Sequence, residues 1–273
     1  MFVRFIVSIV IGVGIGILSG LLGIGGGTVM VPVFRLGYAL PAVVATATSL
    51  FAIIPTSISG VVSHLHYKTC IPKLGVALGV GGAIMSPVGV YLAQLSPDWL
   101  IMLAAALVIG YSAVNMFRKA IKMKPVVKTA APEQAAEAAA AAPAVPPAPH
   151  LTGAQYVKGG LIGVIAGLMS GYVGVGGGFI MVPMMLALLD VPMKLASGTS
   201  LLAIMILAIP GVIEQGMLGN IDYLAGIAIV IGSIPGAVIG ARLIRYVPER
   251  MLRFVFGAFL LVGAVLLVVK EIG

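Results

Sequence analysis

Four stretches of this chain, Val76–Leu95, Leu100–Phe117, Leu195–Ile213 and Leu224–Ile239, contain no Asp, Glu, Lys or Arg, and a fifth, Met251–Val269, contains Arg253 alone. Each approaches the roughly 20 residues that a helix needs to cross about 30 Å of hydrocarbon. Only 9% of the 273 residues are charged. A soluble domain carries roughly 25%, so this chain cannot cover a water-facing surface. A membrane barrel would show ~10-residue segments of alternating polarity instead, and none occurs. The sequence predicts an all-α polytopic membrane protein whose surroundings are a lipid bilayer.

The net charge of +8 does not signal a nucleic-acid partner. The basic residues lie between apolar spans rather than in one patch, as they do in cytoplasmic membrane loops. Cys70 is the only cysteine, which rules out an internal disulfide. With His64 and His66 it makes no recognisable metal set; the two histidines read as a loop feature at a span's end. Nothing in the sequence calls for a cofactor.

The chain is also written twice. Gly20-Leu-Leu-Gly23-Ile-Gly25-Gly26-Gly27-Thr28-Val-Met30-Val31-Pro32 matches Gly171-Tyr-Val-Gly174-Val-Gly176-Gly177-Gly178-Phe179-Ile-Met181-Val182-Pro183 at eight of thirteen positions, with an offset of 151. The same ungapped offset aligns Ala45–Leu50 with Ala196–Leu201, Gly60 with Gly211, Gly89 with Gly240 and Pro97 with Pro248. Composition cannot hold register over such a distance, so the pattern is an internal duplication, as in many transporter folds. The stretch from Met1 to Gly20 resembles a secretory signal. However, Gly12 and Gly16 match Gly163 and Gly167, so this segment is expected to belong to the fold and be retained.

Three regions follow: repeat one over 1–118, an Ala/Pro-rich linker over 119–157 expected in the cytoplasm, and repeat two over 158–273. The linker has little to bury and several helix breakers. Each repeat offers about five helical segments, in the first near 4–22, 28–40, 42–63, 74–95 and 99–117. Segments 28–40 and 179–189 are short and follow a glycine break, so they either cross or re-enter. Charge separates inverted from parallel repeats, because Lys and Arg favour the cytoplasmic side. The inverted arrangement gathers Lys68, Lys73, Arg118, Lys119, Lys122, Lys124, Lys128, Lys158, Lys194, Arg242, Arg245, Arg250 and Arg253 on one side and leaves Arg4, Arg35 and Lys270 on the other. A parallel arrangement splits them more evenly, so the repeats are expected to be inverted.

The eight acidic residues fall in loops, in the linker or near segment ends, and no catalytic set of carboxylates, Ser/His/Asp or HExxH appears. The chain therefore reads as a non-enzyme. Chemistry is left to the glycine turns, Gly25-Gly26-Gly27 with Thr28, and Gly176-Gly177-Gly178. Successive glycines turn the chain sharply and uncover its N–H groups, and the helix after each turn adds a positive end. Together they suit a small anion without a formal positive charge. Tight helix packing is the competing explanation, and it is preferred for Gly12, Gly16, Gly20, Gly163, Gly167 and Gly171, which form small-xxx-small faces. The hydroxyls of Thr48, Ser49, Thr199 and Ser200 are further candidates to bind the anion, with bonding to their own helix carbonyls as the alternative. Pro32 and Pro183 should end or kink the short helices. Arg35, whose counterpart is Leu186, reads as an interfacial anchor.

At these residues the sequence resembles the TauE/SafE sulfite exporter family of membrane permeases, along both repeats and outside the linker. The glycine turns running to Pro32 and Pro183, each followed by a Thr-Ser pair, carry the resemblance. It implies a permease in the bacterial plasma membrane for sulfite, organosulfonates or related small anions. A membrane scaffold that kept the fold and an anion channel are the alternatives, and a homo-oligomer is compatible with the sequence.

Overall fold

The computed structural model describes residues 2–122, 149 and 151–272. Among these the chain is helical with no strand. Helix α1 spans Phe2–Leu22, α2 Gly27–Pro32, α3 Ala42–His66, α4 Pro72–Leu95 and α5 Asp98–Lys122. In the second half α6 spans Gly153–Val173, α7 Gly178–Leu188, α8 Met193–Met217, α9 Tyr223–Leu243 and α10 Glu249–Ile272. Six of them, α3 to α6, α8 and α9, are long and apolar enough to cross a membrane. Helices are the natural outcome, since hydrocarbon leaves no water to satisfy an exposed backbone. The chain breaks where glycine or proline withdraws a side chain or an N–H.

The short segments differ between the halves. Pro32 ends α2, and Val33–Gly37 continue as a π-helical turn, whereas α7 runs on through Pro183 to Leu188. The second half also starts earlier than the linker boundary suggested. Gly153–Val157 already form the first turn of α6, closed by a capping box between Thr152 and Gln155. Such a box satisfies two otherwise orphaned backbone N–H groups. The expected linker between 123 and 148 lies outside the described residues.

Helices α1 and α9 pack side by side, as do α4 and α6. The small-xxx-small faces make those contacts. A Cβ on Gly12, Gly16 or Gly20 would strike the carbonyls of Ile229, Ser233 and Ala237, and one on Gly163, Gly167 or Gly171 those of Leu78, Gly82 and Ser86. In both pairs the residue numbers rise together, so the helices run parallel. Helices α4 and α8 also run parallel, with Gly75, Gly79 and Ser86 beside Leu202, Ile206 and Gly211, as do α3 and α9, with Thr56 bonded to Ser233 and Gly60 beside Ala237. Helices α3 and α8 run antiparallel. Gly198, at the start of α8, abuts His64 and Thr69 at the end of α3, and near the start of α3 Thr48 Oγ1 accepts the N–H of Asp222 (3.0 Å), beyond the end of α8. Helices α5 and α10 oppose each other likewise, with Gly257 beside Phe117 and Gly110 beside Ala264.

Large apolar side chains such as Val10, Val62, Ile84, Leu107 and Leu161 point outward, as a surface facing lipid tails requires. Charge collects at the bundle's ends. At one, Lys194 Nζ donates to the Arg245 carbonyl (2.9 Å) and the Arg245 guanidinium lies 4.0 Å from the Tyr67 ring centroid. At the other, Arg35 pairs with Asp98 (3.3 Å). Asp98 also accepts the N–H of Ala42 (3.2 Å). Arg35 thus fastens the turn after α2 to the start of α5.

Candidate functional site

Every described residue with a left-handed φ has a counterpart 151 positions away: Gly23 with Gly174, Gly25 with Gly176, Gly26 with Gly177, Ala39 with Asp190, and Lys68 with Gly219. Three of the five pairs are the glycine turns. Their φ values of +71° to +87° are ones that glycine adopts without steric cost.

The two turns meet in the buried centre of the protein. A Cβ on Gly27 would lie 2.5 Å from the Val175 carbonyl oxygen, and one on Gly178 2.5 Å from that of Gly23. Each turn closes the preceding helix, Gly23 N–H donating to Ser19 (2.8 Å) and Gly174 N–H to Ser170 (2.7 Å). Each also starts the next helix, with the Gly26 and Gly177 carbonyls accepting from residues three and four further on. Between these bonds the N–H groups of Ile24, Gly25, Gly26, Gly27 and Thr28, and of Val175, Gly176, Gly177, Gly178 and Phe179, have no acceptor among the described residues. All ten residues are buried. A buried N–H without a partner is rare in a folded chain, and five in each of two touching turns form a dense donor array without formal charge.

Side chains around the turns divide unequally. Thr28 Oγ1 and Ser49 Oγ are buried with no partner, as are Ser19 Oγ and Ser170 Oγ just before each turn. Ser200, the counterpart of Ser49, donates across the interface to the Gly23 carbonyl (2.6 Å) and lies 2.8 Å from the Ser197 carbonyl. Thr199 Oγ1 accepts the Ile71 N–H (2.9 Å) and donates to the Leu195 carbonyl (2.7 Å). Thr48 accepts from Asp222, the counterpart of Ile71. The two threonines therefore each receive the N–H that precedes a long helix of the other half. Of the four hydroxyls singled out in the sequence, only that of Ser49 has no partner, and it lies one helical turn beyond Thr46, whose Cα faces Gly174.

Two sets of residues near the turns gave no functional signal in the sequence. Ile53 and Ile204 are fully buried and stand against both turns; their shared offset was the one available clue. His64 lies inside α3 rather than in a loop, fully buried, with Nε2 2.8 Å from the Gly20 carbonyl and Nδ1 2.7 Å from Thr69 Oγ1. Since a carbonyl only accepts, Nε2 carries the proton, and the ring holds the last turn of α1 ahead of Gly23. Its counterpart Gln215 accepts from Asn220 (2.8 Å), the counterpart of Thr69. Away from the turns, Glu214 lines an open groove of about 630 Å³ with Tyr91, Gln94 and two prolines. No group of three or more His, Cys, Asp or Glu able to hold a metal occurs among the described residues.

The family model described as "Sulfite exporter TauE/SafE" matches residues 8–267. The chain is 28% identical over 254 residues to the probable membrane transporter protein YunE of Bacillus subtilis, covering 88% of this chain and 89% of that one. It is 27% identical to the probable membrane transporter protein YdhB of the same organism, covering 88% and 90%. A third relative there, YjnA, is 24% identical across 95% of this chain and 98% of its own. No solved structure matches. Both glycine turns and the six membrane-capable helices lie within the matched span, and this multi-pass plasma-membrane protein belongs to the TauE/SafE family of membrane transporters.

Proposed function

We propose that the chain exports a small sulfur-containing anion, sulfite or an organosulfonate, and binds it where the two glycine turns meet. The observation that carries this reading is the array of buried, unpartnered N–H groups on the turns. Backbone donors in a low-dielectric centre stabilise an oxyanion without the desolvation cost of a buried Lys or Arg. Gly25, Gly26 and Gly27 with Gly176, Gly177 and Gly178 supply the donors, and Thr28 and Ser49 supply hydroxyls. Thr48, Thr199 and Ser200 hold the surrounding helices in place. The family's description names sulfite, which agrees with a compact oxyanion.

The halves are inverted in this reading, which the antiparallel course of α3 with α8 and of α5 with α10 supports. The end of the bundle bearing Lys194 and Arg245 then faces the cytoplasm. An inside-negative potential favours outward anion movement by about 2.3 kcal/mol per charge per 100 mV. In proteoliposomes loaded with sulfite, an inside-negative potential set by potassium and valinomycin should accelerate efflux, and a pH gradient at zero potential should not. The reverse pattern would overturn potential-driven export. Failure to move sulfite, sulfoacetate or taurine at all would overturn the substrate assignment.

A further inference from the structure

Ile53 and Ile204 occupy matching positions in α3 and α8 and are fully buried. A Cβ on Gly25 would lie 3.1 Å from Ile53 Cγ2 and 3.2 Å from Ile204 Cγ2. One on Gly176 would lie 3.0 Å from Ile53 Cδ1 and 3.6 Å from Ile204 Cγ2. Each isoleucine therefore touches both turns. Each also guards one flank, Ile53 Cδ1 at 2.7 Å from a Cβ on Gly27 and Ile204 Cδ1 at 2.9 Å from one on Gly178. These branched side chains thus pack against the two glycine turns where the turns meet.

We propose that Ile53 and Ile204 form the central barrier of the transport path and set the size of anion that passes. The proposal rests on the reading that the glycine turns line that path. Three physical points support it. An apolar constriction beside polar donors strips water from an anion and stops it unless the donors take over. Branching at Cβ leaves a helical isoleucine one strongly preferred χ1, so the barrier is stiff and only its terminal methyls yield. The two-fold match also makes the barrier symmetric: an anion approaching from either end meets the same pair.

The test compares wild type with Ile53→Val/Ile204→Val and Ile53→Ala/Ile204→Ala in proteoliposomes, each confirmed monodisperse, using sulfite and the methane-, ethane- and propanesulfonates. Trimming the pair should raise propanesulfonate flux relative to sulfite by about tenfold or more, the scale on which hydrophobic pockets discriminate a methylene. The Val pair should fall between wild type and the Ala pair. If the Ala pair does not fold, the Val pair and the single Ala variants decide by the same ratio. Thr28→Val serves as the internal reference and should weaken both anions without changing their ratio. If Thr28→Val acts but the trimmed pair leaves the ratio unchanged, the barrier proposal falls and the site reading stands. If neither changes transport, the site reading falls with it.

Discussion

The first and second glycine turns share a backbone and differ in what surrounds it. Both place left-handed glycines at the same three positions, close the preceding helix and open the next one in the same way. Around this common frame the first half presents Thr28 where the second has Phe179, and it leaves Ser49 unpaired where Ser200 is bonded to Gly23. The backbone was fixed by what the turn needs, namely φ values open to glycine and room for two chains to touch. Half one thus carries the extra unpartnered hydroxyls of Thr28 and Ser49, while Ser200 of half two reaches across to the Gly23 carbonyl.

The largest effect should come from breaking the frame itself. Gly27→Ala or Gly178→Ala would place a methyl 2.5 Å from a backbone carbonyl of the opposite turn. Neither turn can retreat, so the overpacking should cost about 1–3 kcal/mol, seen as lower melting temperature and loss of monodisperse protein. Gly14 provides the contrast: a Cβ there meets nothing within 4 Å, and its counterpart is Ile165. Gly14→Ala should be neutral or stabilising by up to about 1 kcal/mol, the helix-interior difference between Gly and Ala. Equal behaviour of Gly14→Ala and Gly27→Ala would show that the close contact between turns carries no special constraint.

The next effect would sharpen this difference between the halves. A hydrogen bond to a charged group is worth about 1.5–3 kcal/mol, or roughly 10- to 100-fold in affinity. Thr28→Val and Ser49→Ala should each weaken anion binding by that order without lowering thermal stability, because neither buried hydroxyl has a hydrogen bond to lose. Ser200→Ala should do the opposite, costing about 1 kcal/mol of stability by freeing the Gly23 carbonyl and changing affinity little. Calorimetric binding and thermal melts on the three variants separate the two roles, and a uniform loss of stability across them would erase the distinction.

The duplication made much of this legible before any coordinates. Identical spacing located both turns, and the absence of charge located the spans; Gly12, Gly16 and Gly20 announced a packing face because small residues recur every four positions. What stayed hidden has physical reasons. Isoleucine in a membrane helix is ordinary, so Ile53 and Ile204 could not be told from lipid-facing neighbours without the fold. A hydroxyl reads the same whether it awaits a ligand or holds a helix, and only distances separated Ser49 from Ser200. His64 read as a loop residue because it ends an apolar run, yet the helix continues to His66 and carries its ring inward. The start of α6 was readable in principle, since Thr152 and Gln155 have capping-box spacing, but the Ala/Pro composition before it dominated.

A smaller effect tests whether His64 and Gln215 are equivalent supports. His64→Gln should be intermediate: it can keep a hydrogen bond to Thr69, as Gln215 does to Asn220, but the Gln215 amide nitrogen has no partner, so the bond to the Gly20 carbonyl is not expected to be replaced. His64→Leu leaves that carbonyl unsatisfied in a buried site and should cost about 1–3 kcal/mol. If the Gln variant folds like wild type but transport is lost, His64 does more than hold α1.

The smallest effect concerns the matching pair Cys70 and Ile221, just before α4 and α9. Burial pushes the Cys70 thiol up to about 12, with a hydrogen bond to Thr199 opposing the shift. Because desolvation disfavours the charged form of an acid, the sign is toward the neutral thiol, and the thiolate is the reactive species. Alkylation at neutral pH should therefore be slow even in opened membranes, rising about tenfold per pH unit until the pH nears that value. Fast labelling at pH 7 would show that Cys70 is open to water and that the loops before α4 and α9 differ. The same slowness makes Cys70 a poor reporter of sidedness, so orientation is better read from a cysteine introduced at the exposed Lys73 in a Cys70→Ile background. Isoleucine is chosen because the second half places it at this position; the background is checked by its melting temperature before labelling, since adding volume at a buried site costs about 1–3 kcal/mol when neighbours cannot move. An impermeant thiol reagent should miss Lys73→Cys in intact cells and reach it in opened ones. Labelling in intact cells would put this end of the bundle outside and overturn the proposed orientation.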